Sequence, residues 1–223
     1  VSVQNTSLST SVPVTVPGSP VSWTVTCTSP SAHSFSVTAD AAVDQLHVID
    51  TNTANNSNSG NATTSVTATS DVKVSGVSVS APGSASVGTP FNVTVDATLH
   101  NNGSYGPANV DTTLDLTVPG DCTRSPNAAQ SVQDTSLAVS AATPVQATWS
   151  VTCTDPSNHS FGGSATAAID QLHVSDPNTA NNSGSGSAGT NVTATSDVKV
   201  SGVSVSAPAS ADVGSPFNVT ATA

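Results

Sequence analysis

Apolar and polar residues alternate along several stretches in the middle of the chain. The clearest series runs from Phe91 to Leu99, where every second residue is apolar. Similar series occupy Val110–Val118, Val145–Cys153 and Phe161–Ile169, and less regular ones Asp71–Ser80, Ser131–Ser140 and Asn191–Ser196. A period of two is typical of strands with one buried face. About seven strands separated by Pro, Gly and Asn turns predict an all-β, immunoglobulin-like sandwich.

The strand predicted at Asp71–Ser80 carries a local irregularity. Val72 and Val74 share one parity, whereas Val77 and Val79 share the other, and Gly76 lies at the switch. An extra residue in one strand produces such a shift. We therefore expect a β-bulge at Gly76.

The sequence repeats itself with a period of 126 positions, as Trp149 against Trp23 shows. The residues that return at this offset are Trp23, Cys27, His33, Phe35, Asp44 and His47, as Trp149, Cys153, His159, Phe161, Asp170 and His173. The segment Ser70–Pro82 returns letter for letter as Ser196–Pro208. Self-similarity at a fixed period marks a repeat architecture. We predict a complete repeat at 71–196, partial repeats at 1–70 and 197–223, and a longer array or polymer around them.

Almost no linker separates one repeat from the next. The run VTATSDVKVSG joins the last strand of one unit to the first strand of the following unit. A short connection limits bending, so the repeats should line up as a semi-rigid rod. The expected partners are adjacent repeats, or copies of the chain associated head-to-tail by strand addition.

Composition excludes several classes of partner. The chain contains no Glu and no Met, and its net charge is −11 with a pI near 4.2. Such a chain cannot neutralise phosphates, so nucleic acid is not an expected partner. No run approaches the roughly 20 apolar residues of a membrane span, so no membrane insertion is expected in this segment.

Cysteine usage points to an oxidising compartment. Cys122 and Cys153 fall in the complete repeat, and Cys27 is the copy of Cys153. We predict a Cys122–Cys153 disulfide, with Trp149 packed near it, and expect Cys27 to pair in the intact protein with a cysteine outside the given sequence. The alternative is a pair of reduced, buried thiols. A bridge would imply secretion to the cell exterior or surface.

A segment rich in Asp and Asn recurs in both copies and has two interpretations. The candidate ligands are Asp44, Asp50, Asn52 and Asn55 in the first copy, and Asp170, Asp176, Asn178 and Asn181 in the second. Oxygens at alternate positions of a loop suit Ca²⁺. Asp and Asn also build turns by bonding their own backbone. The lack of a bidentate Glu favours the turn, and no cofactor other than calcium is expected.

Nothing in the sequence indicates catalysis or zinc binding. Histidines at 33, 47, 100, 159 and 173 lack the converging spacing of a zinc site. The chain has no GxSxG elbow. Asp111 and Asp115 share one face of a strand, where solvated charge is the simpler interpretation. We expect no catalytic residues and no enzyme activity.

Asn-x-Ser/Thr sequons are dense along the chain. They begin at Asn5, Asn55, Asn61, Asn92, Asn102, Asn158, Asn181, Asn191 and Asn218. On a secreted rod such sites are candidates for N-glycosylation, which would shield strand edges.

Three segments carry a resemblance to a known family. They are the opening DVKVSGVSV, the central VGTPFNVTVDATLHNNG and the closing AIDQLHVSDPNTANN. The chain resembles the CARDB and DUF11 repeats of bacterial and archaeal surface proteins. This resemblance implies an extracellular immunoglobulin-like sandwich in a large surface protein, with a hint of cell adhesion. The closing segment of that family often carries Glu, which is absent here.

Two functions follow from these observations. The first is a structural segment of an extracellular stalk, fibre or filament. The second is an adhesin module that recognises a carbohydrate or a surface protein through its loops. Aromatic residues make up only 3% of the chain, and Tyr105 is the one loop aromatic expected to contact a ligand. Both Trp residues are expected on the core face.

Overall fold

The computed structural model describes residues 20–223, and these are almost entirely β-structure. The strands are β1 (Ser31–Asp40), β2 (Ser57–Val66), β3 (Ala68–Thr69), β4 (Val72–Ser80), β5 (Ser84–Ser86), β6 (Phe91–Asn101), β7 (Ala108–Thr117), β8 (Cys122–Ser125), β9 (Gln130–Leu137), β10 (Ala142–Cys153), β11 (Asn158–Ile169), β12 (Val174–Ser175), β13 (Ser183–Thr193), β14 (Ser204–Ser206) and β15 (Thr220–Thr222). Two short 3-10 turns occupy Thr53–Asn55 and Thr179–Asn181.

The residues between Val72 and Thr193 form a two-sheet sandwich. One sheet has the strand order β4-β6-β10-β8, and the other has the order β5-β13-β11-β7-β9. All neighbours are antiparallel except β5 and β13, which run parallel. This architecture confirms the predicted all-β, immunoglobulin-like fold. The register between β4 and β6 shifts between Val74 and Gly76, so the bulge is confirmed as well.

The core lies between the inward faces of these two sheets. Trp149 and Phe161 are its largest fully buried side chains, and small residues, chiefly Val and Ala, fill most of the rest. The indole Nε1 of Trp149 donates to the Ala128 carbonyl at 3.0 Å, so its one polar atom is satisfied. Cys122 and Cys153 form the predicted disulfide, which joins the neighbouring strands β8 and β10. The bridge therefore ties the edge of the first sheet to its centre.

The last strand of the sandwich lies mostly before its predicted position. The strand expected at Asn191–Ser196 is confirmed only for Asn191–Thr193, because β13 begins at Ser183 and ends at Thr193. Its sequence SGSGSAGTNVT places glycines where it approaches β4. A Cβ on Gly186 would lie 2.4 Å from the Val77 carbonyl oxygen. β13 can therefore pack against β4 only because these positions lack side chains. A search for alternating apolar residues does not detect such a strand.

The outer segments form small sheets with exposed apolar faces. β1 pairs with β2, and β14 pairs with β15. Trp23 is 61% exposed, which contradicts its predicted place on a core face. Its copy, Trp149, is covered by the sandwich, and residues 20–70 contain no counterparts of β6 and β8 that could cover Trp23. The bounds of the two partial repeats stay predictions.

Candidate functional site: the repeat junction

The linker between the first and second repeats is hydrogen-bonded to the second repeat. β3 lies parallel to β12, a two-residue strand in the connection that follows β11. The Ala68 N–H donates to the His173 carbonyl at 2.9 Å, and the Ser70 N–H donates to the Ser175 carbonyl at 3.0 Å. The linker is thus an added strand rather than a free tether.

A second set of contacts buries the end of the linker. Ser70 is fully buried, and its hydroxyl donates to the Tyr105 carbonyl at 2.7 Å. The Tyr105 N–H returns a bond to the Thr69 carbonyl at 3.2 Å. The side-chain amide of Asn101, also fully buried, donates to the same Tyr105 carbonyl at 2.8 Å. The turn after β6 therefore binds the linker on the side opposite β12.

Residues 176–182, between β12 and β13, form the closing loop of the repeat. Asp176 connects the start of β4 to this loop. One carboxylate oxygen accepts from the Val72 N–H and from the Asn182 side-chain amide, each at 3.0 Å. The other oxygen accepts from the Asn178 N–H at 2.9 Å. Asp176 thus couples the first strand of the repeat to the loop before its last strand.

Asp71 completes the junction from the linker side. One of its carboxylate oxygens accepts from the Asn181 side-chain amide at 2.9 Å, and its carbonyl accepts from the Asn102 N–H at 2.8 Å. The residue that opens the repeat is therefore fixed to both the turn after β6 and the closing loop.

The same loop in the first copy has a similar conformation. His47 and His173 both have φ of 63°. Asp50 accepts from the Asn52 N–H at 2.9 Å, as Asp176 does from Asn178. The hydrogen bond from the Asn52 N–H is the main cause that holds the pKa of Asp50 below its usual value of 3.8, and a hydrogen bond from the Asn56 side chain adds to it. The local sequence therefore builds this loop without a docked linker.

The candidate calcium ligands of the complete repeat separate into two places. Asp176, Asn178 and Asn181 share the closing loop, where the hydrogen bonds described above use Asp176 as a turn builder. The carboxylate of Asp170 instead lies with those of Asp111 and Asp134, all three within 4.8 Å of one another. In the first copy, Asp44, Asn52 and Asn55 are exposed. This geometry favours the turn interpretation, and calcium binding stays a prediction.

One buried histidine forms an ion pair that the sequence did not reveal. His159 Nε2 lies 2.7 Å from Asp121 Oδ2, and their side chains are 2% and 25% exposed. The hydrogen bond that His159 donates to Asp121 raises the pKa of His159 above 6.5, although burial opposes this shift. The same bond lowers the pKa of Asp121 below 3.8. The pair joins the residue before β8 to β11, beside the disulfide.

The predicted solvent-facing acids of β7 are half-exposed, and each has a contact. Arg124 lies 2.6 Å from Asp115 and forms an ion pair with it. Asp111 accepts from the Asp134 N–H at 3.0 Å, next to a register shift between β7 and β9. Both acids therefore have structural contacts.

Tyr105, the predicted ligand contact, belongs to the junction instead. Its ring is half-buried, and its hydroxyl lies 3.4 Å from the Gln171 side-chain amide. Gln171 in turn accepts from the Asn109 N–H at 3.2 Å. The ring therefore helps to hold the loop that receives the linker.

The sequons differ in accessibility. Asn5 lies outside the described residues. The exposed acceptors are Asn55, Asn61, Asn92, Asn102, Asn158, Asn191 and Asn218. Asn181 is half-buried and its amide nitrogen donates to Asp71. Its glycan-accepting atom is therefore already occupied.

No helix within residues 20–223 has the length and apolar character needed to cross a membrane. Cys27 is half-buried and forms no disulfide with another described residue.

Comparison with known proteins returned similar folds only among solved structures. Neither a protein-family model nor a curated protein matches the chain. One similar structure is the crystal structure of a CARDB domain from Pyrococcus furiosus in complex with di-metal ions. It is 17% identical, covers 55% of this chain and 93% of its own, and has a TM-score of 0.31. The likeness to this CARDB domain is one of immunoglobulin-type fold.

Two further structures show the extent of this likeness. The solution structure of the same CARDB domain is 16% identical over 56% of this chain and 96% of its own, with a TM-score of 0.33. A cohesin module from a Clostridium perfringens family 33 glycoside hydrolase is 10% identical over 55% of this chain and 99% of its own, with a TM-score of 0.34. The likeness concerns the sandwich alone and carries nothing about ligands.

Proposed function

We propose that the chain is a structural segment of an extracellular stalk, fibre or filament built from stacked immunoglobulin-like repeats. The observation that carries this proposal is the junction, where the linker pairs with β12 and its Ser70 is buried in the repeat that follows. A linker bonded in this way limits bending between repeats. Adjacent repeats of the array are then the partners of each unit.

The linker side of the next junction has the same sequence. The linker residues Ala194–Ser196 and the opening Asp197 are identical to Ala68–Ser70 and Asp71. The donors and acceptors that the linker itself supplies to the first junction therefore recur, which supports a regular array of repeats.

An extracellular location agrees with three properties of the described chain. The disulfide suits an oxidising compartment. The high negative charge favours solubility, and most sequons are exposed. The polar pairs hold strands and loops together, which suits a structural and non-catalytic role.

The test is the stiffness of the junction, measured by the distance between two spin labels. The labels replace exposed residues as Thr63→Cys on β2 and Ser131→Cys on β9, with Cys27→Ser to avoid a third label. We expect one narrow distance distribution in the full chain. A distribution as broad as that of an unstructured linker would contradict a rod.

A matched pair of variants locates the effect at the junction. Ser70→Pro removes the N–H and the hydroxyl that bond to Ser175 and Tyr105, and should broaden the distribution. Ser196→Pro makes the same change in the exposed copy and should leave the distribution unchanged. Equal distributions in both variants would contradict the role of the docked linker.

A further inference from the structure

The two ends of the complete repeat lie side by side and run in the same direction. β5, near the N-terminal end, pairs in parallel with Asn191–Thr193, the last residues of β13. β3, which leads into the repeat, pairs in parallel with β12. Tension on the array pulls β3 directly by its N-terminal end. It also pulls β5 toward its N-terminal end, through β3 and β4, and draws β13 toward its C-terminal end, so β5 and β13 must slide past each other.

Sliding loads every bond between two strands at once, whereas strands pulled from adjacent ends separate one bond at a time. We propose that each repeat is a mechanical clamp that resists tension along the array. The β5–β13 pair is its main contact, and the β3–β12 pair reinforces it at the junction. This inference goes beyond a rod-like shape, because a rod need not resist stretching.

The clamp consists of the parallel β5–β13 ladder and four further hydrogen bonds across the same edge. The Asn191 N–H donates to the Gly83 carbonyl at 3.1 Å, and the Val87 N–H donates to the Thr193 carbonyl at 3.0 Å. Two threonine hydroxyls add side-chain bonds. Thr190 donates to the Pro82 carbonyl at 2.8 Å, and Thr193 donates to the Ala85 carbonyl at 3.3 Å.

These bonds are protected and connected to the rest of the fold. Thr190 is only 2% exposed, so water has little access to its bond. β4, which precedes β5, packs closely against β13, and a Cβ on Gly184 would lie 3.0 Å from a Val77 methyl group. β4 must also slide along β6 when it is pulled by its N-terminal end. Force on the linker is therefore shared by both sheets.

The disulfide limits how far a repeat extends after the clamp fails. Cys122 and Cys153 are 31 positions apart, so the loop between them cannot stretch while the bridge is intact. At about 3.6 Å per residue, reduction should add about 110 Å to the length released. This increment identifies the unfolding of the complete repeat in a stretching record.

The experiment is single-molecule stretching of the full chain, held by its two ends. We expect one unfolding event whose released length grows by about 110 Å under reducing conditions. Thr190→Val removes the buried hydroxyl bond and should shift this event to lower force. The exposed copy offers the matched control, Thr64→Val, which should leave the force unchanged.

A backbone variant tests the clamp more severely. Val87→Pro removes the N–H that bonds to Thr193, and we expect loss of the high-force event. Val213→Pro makes the same change in the copy, where Val213 is fully exposed, and should have no effect. The clamp is refuted if wild-type and Val87→Pro repeats unfold at the same force. If Val87→Pro does not fold, an unchanged force in Thr190→Val refutes it equally.

Discussion

Replacing Gly186 by alanine tests whether close approach between β13 and β4 defines the sandwich. A Cβ at this position would lie 2.4 Å from the Val77 carbonyl oxygen and 3.1 Å from its carbonyl carbon. The obstacle is backbone, so no side-chain rotation relieves the clash, and β13 must move away from β4. Gly60 is the copy of Gly186 in the first repeat, and a Cβ there meets nothing within 4 Å.

The expected cost follows from overpacking. Inserting one methyl group into a tight site typically costs about 1–3 kcal/mol. The entropic benefit of Gly→Ala in the unfolded chain, about 0.4–1 kcal/mol, offsets only part of this loss. We therefore expect Gly186→Ala to lower the free energy of unfolding by about 1–2 kcal/mol. Gly60→Ala should leave it within about 0.5 kcal/mol of wild type.

The assay is urea denaturation followed by tryptophan fluorescence. Trp149 is fully buried and reports on the sandwich, whereas Trp23 is already 61% exposed and changes little on unfolding. With an m-value of about 2 kcal/mol/M, the expected loss lowers the midpoint by about 0.5–1 M. Equal midpoints for Gly186→Ala and Gly60→Ala would refute the close approach of β13 to β4.

Three further predictions concern the bridge, the buried ion pair and one sequon. Reducing the disulfide, whose cysteines are 31 positions apart, should destabilise the repeat by about 3–4 kcal/mol in the chain-entropy model, measured by urea denaturation with and without reductant. Asp121→Asn should destabilise most between about pH 4 and 6.5. The raised pKa of His159 contributes stability that is fully present below pH 6.5 and is lost as the pH rises through the folded pKa. The lowered pKa of Asp121 contributes stability that is present above pH 3.8 and is lost as the pH falls through the folded pKa. A pH-independent difference between the variant and wild type would contradict this. In a host that N-glycosylates, site-resolved mass spectrometry should find a glycan on exposed Asn55 and none on Asn181, whose amide nitrogen is bonded; the reverse pattern would contradict the junction geometry.

The sequence predicted those strands whose inward positions carry large apolar side chains. β6, for example, alternates apolar with polar residues, because it faces the core on one side and water on the other. The greater part of β13, from Ser183 to Thr190, was not predicted because glycines occupy its positions nearest β4. β5 and β8 are three and four residues long, which is too short to show a period.

The junction was visible in the sequence only as a short linker. Its bonds join β3 to β12, and two residues on each side carry no periodic signal. The sequence predicted a turn or a calcium site for the recurrent Asp and Asn residues of the closing loop, but it gave no sign of the bond from Val72, which lies 104 positions away from Asp176. The His159–Asp121 pair had one available signal, since pairing Cys122 with Cys153 brings Asp121 close to the start of β11.

The letter-for-letter identity of Ser70–Pro82 and Ser196–Pro208 affects how the chain finds its fold. Both segments offer β6 the same side chains, so packing energy cannot choose between them. Chain connectivity can: about ten residues separate β4 from β6, whereas about a hundred separate β6 from the later copy. Closing the longer loop costs about 2 kcal/mol more, so the native strand wins by about thirtyfold. In such an array proximity along the chain guards against exchange between repeats, and a longer loop between β4 and β6 would weaken that protection.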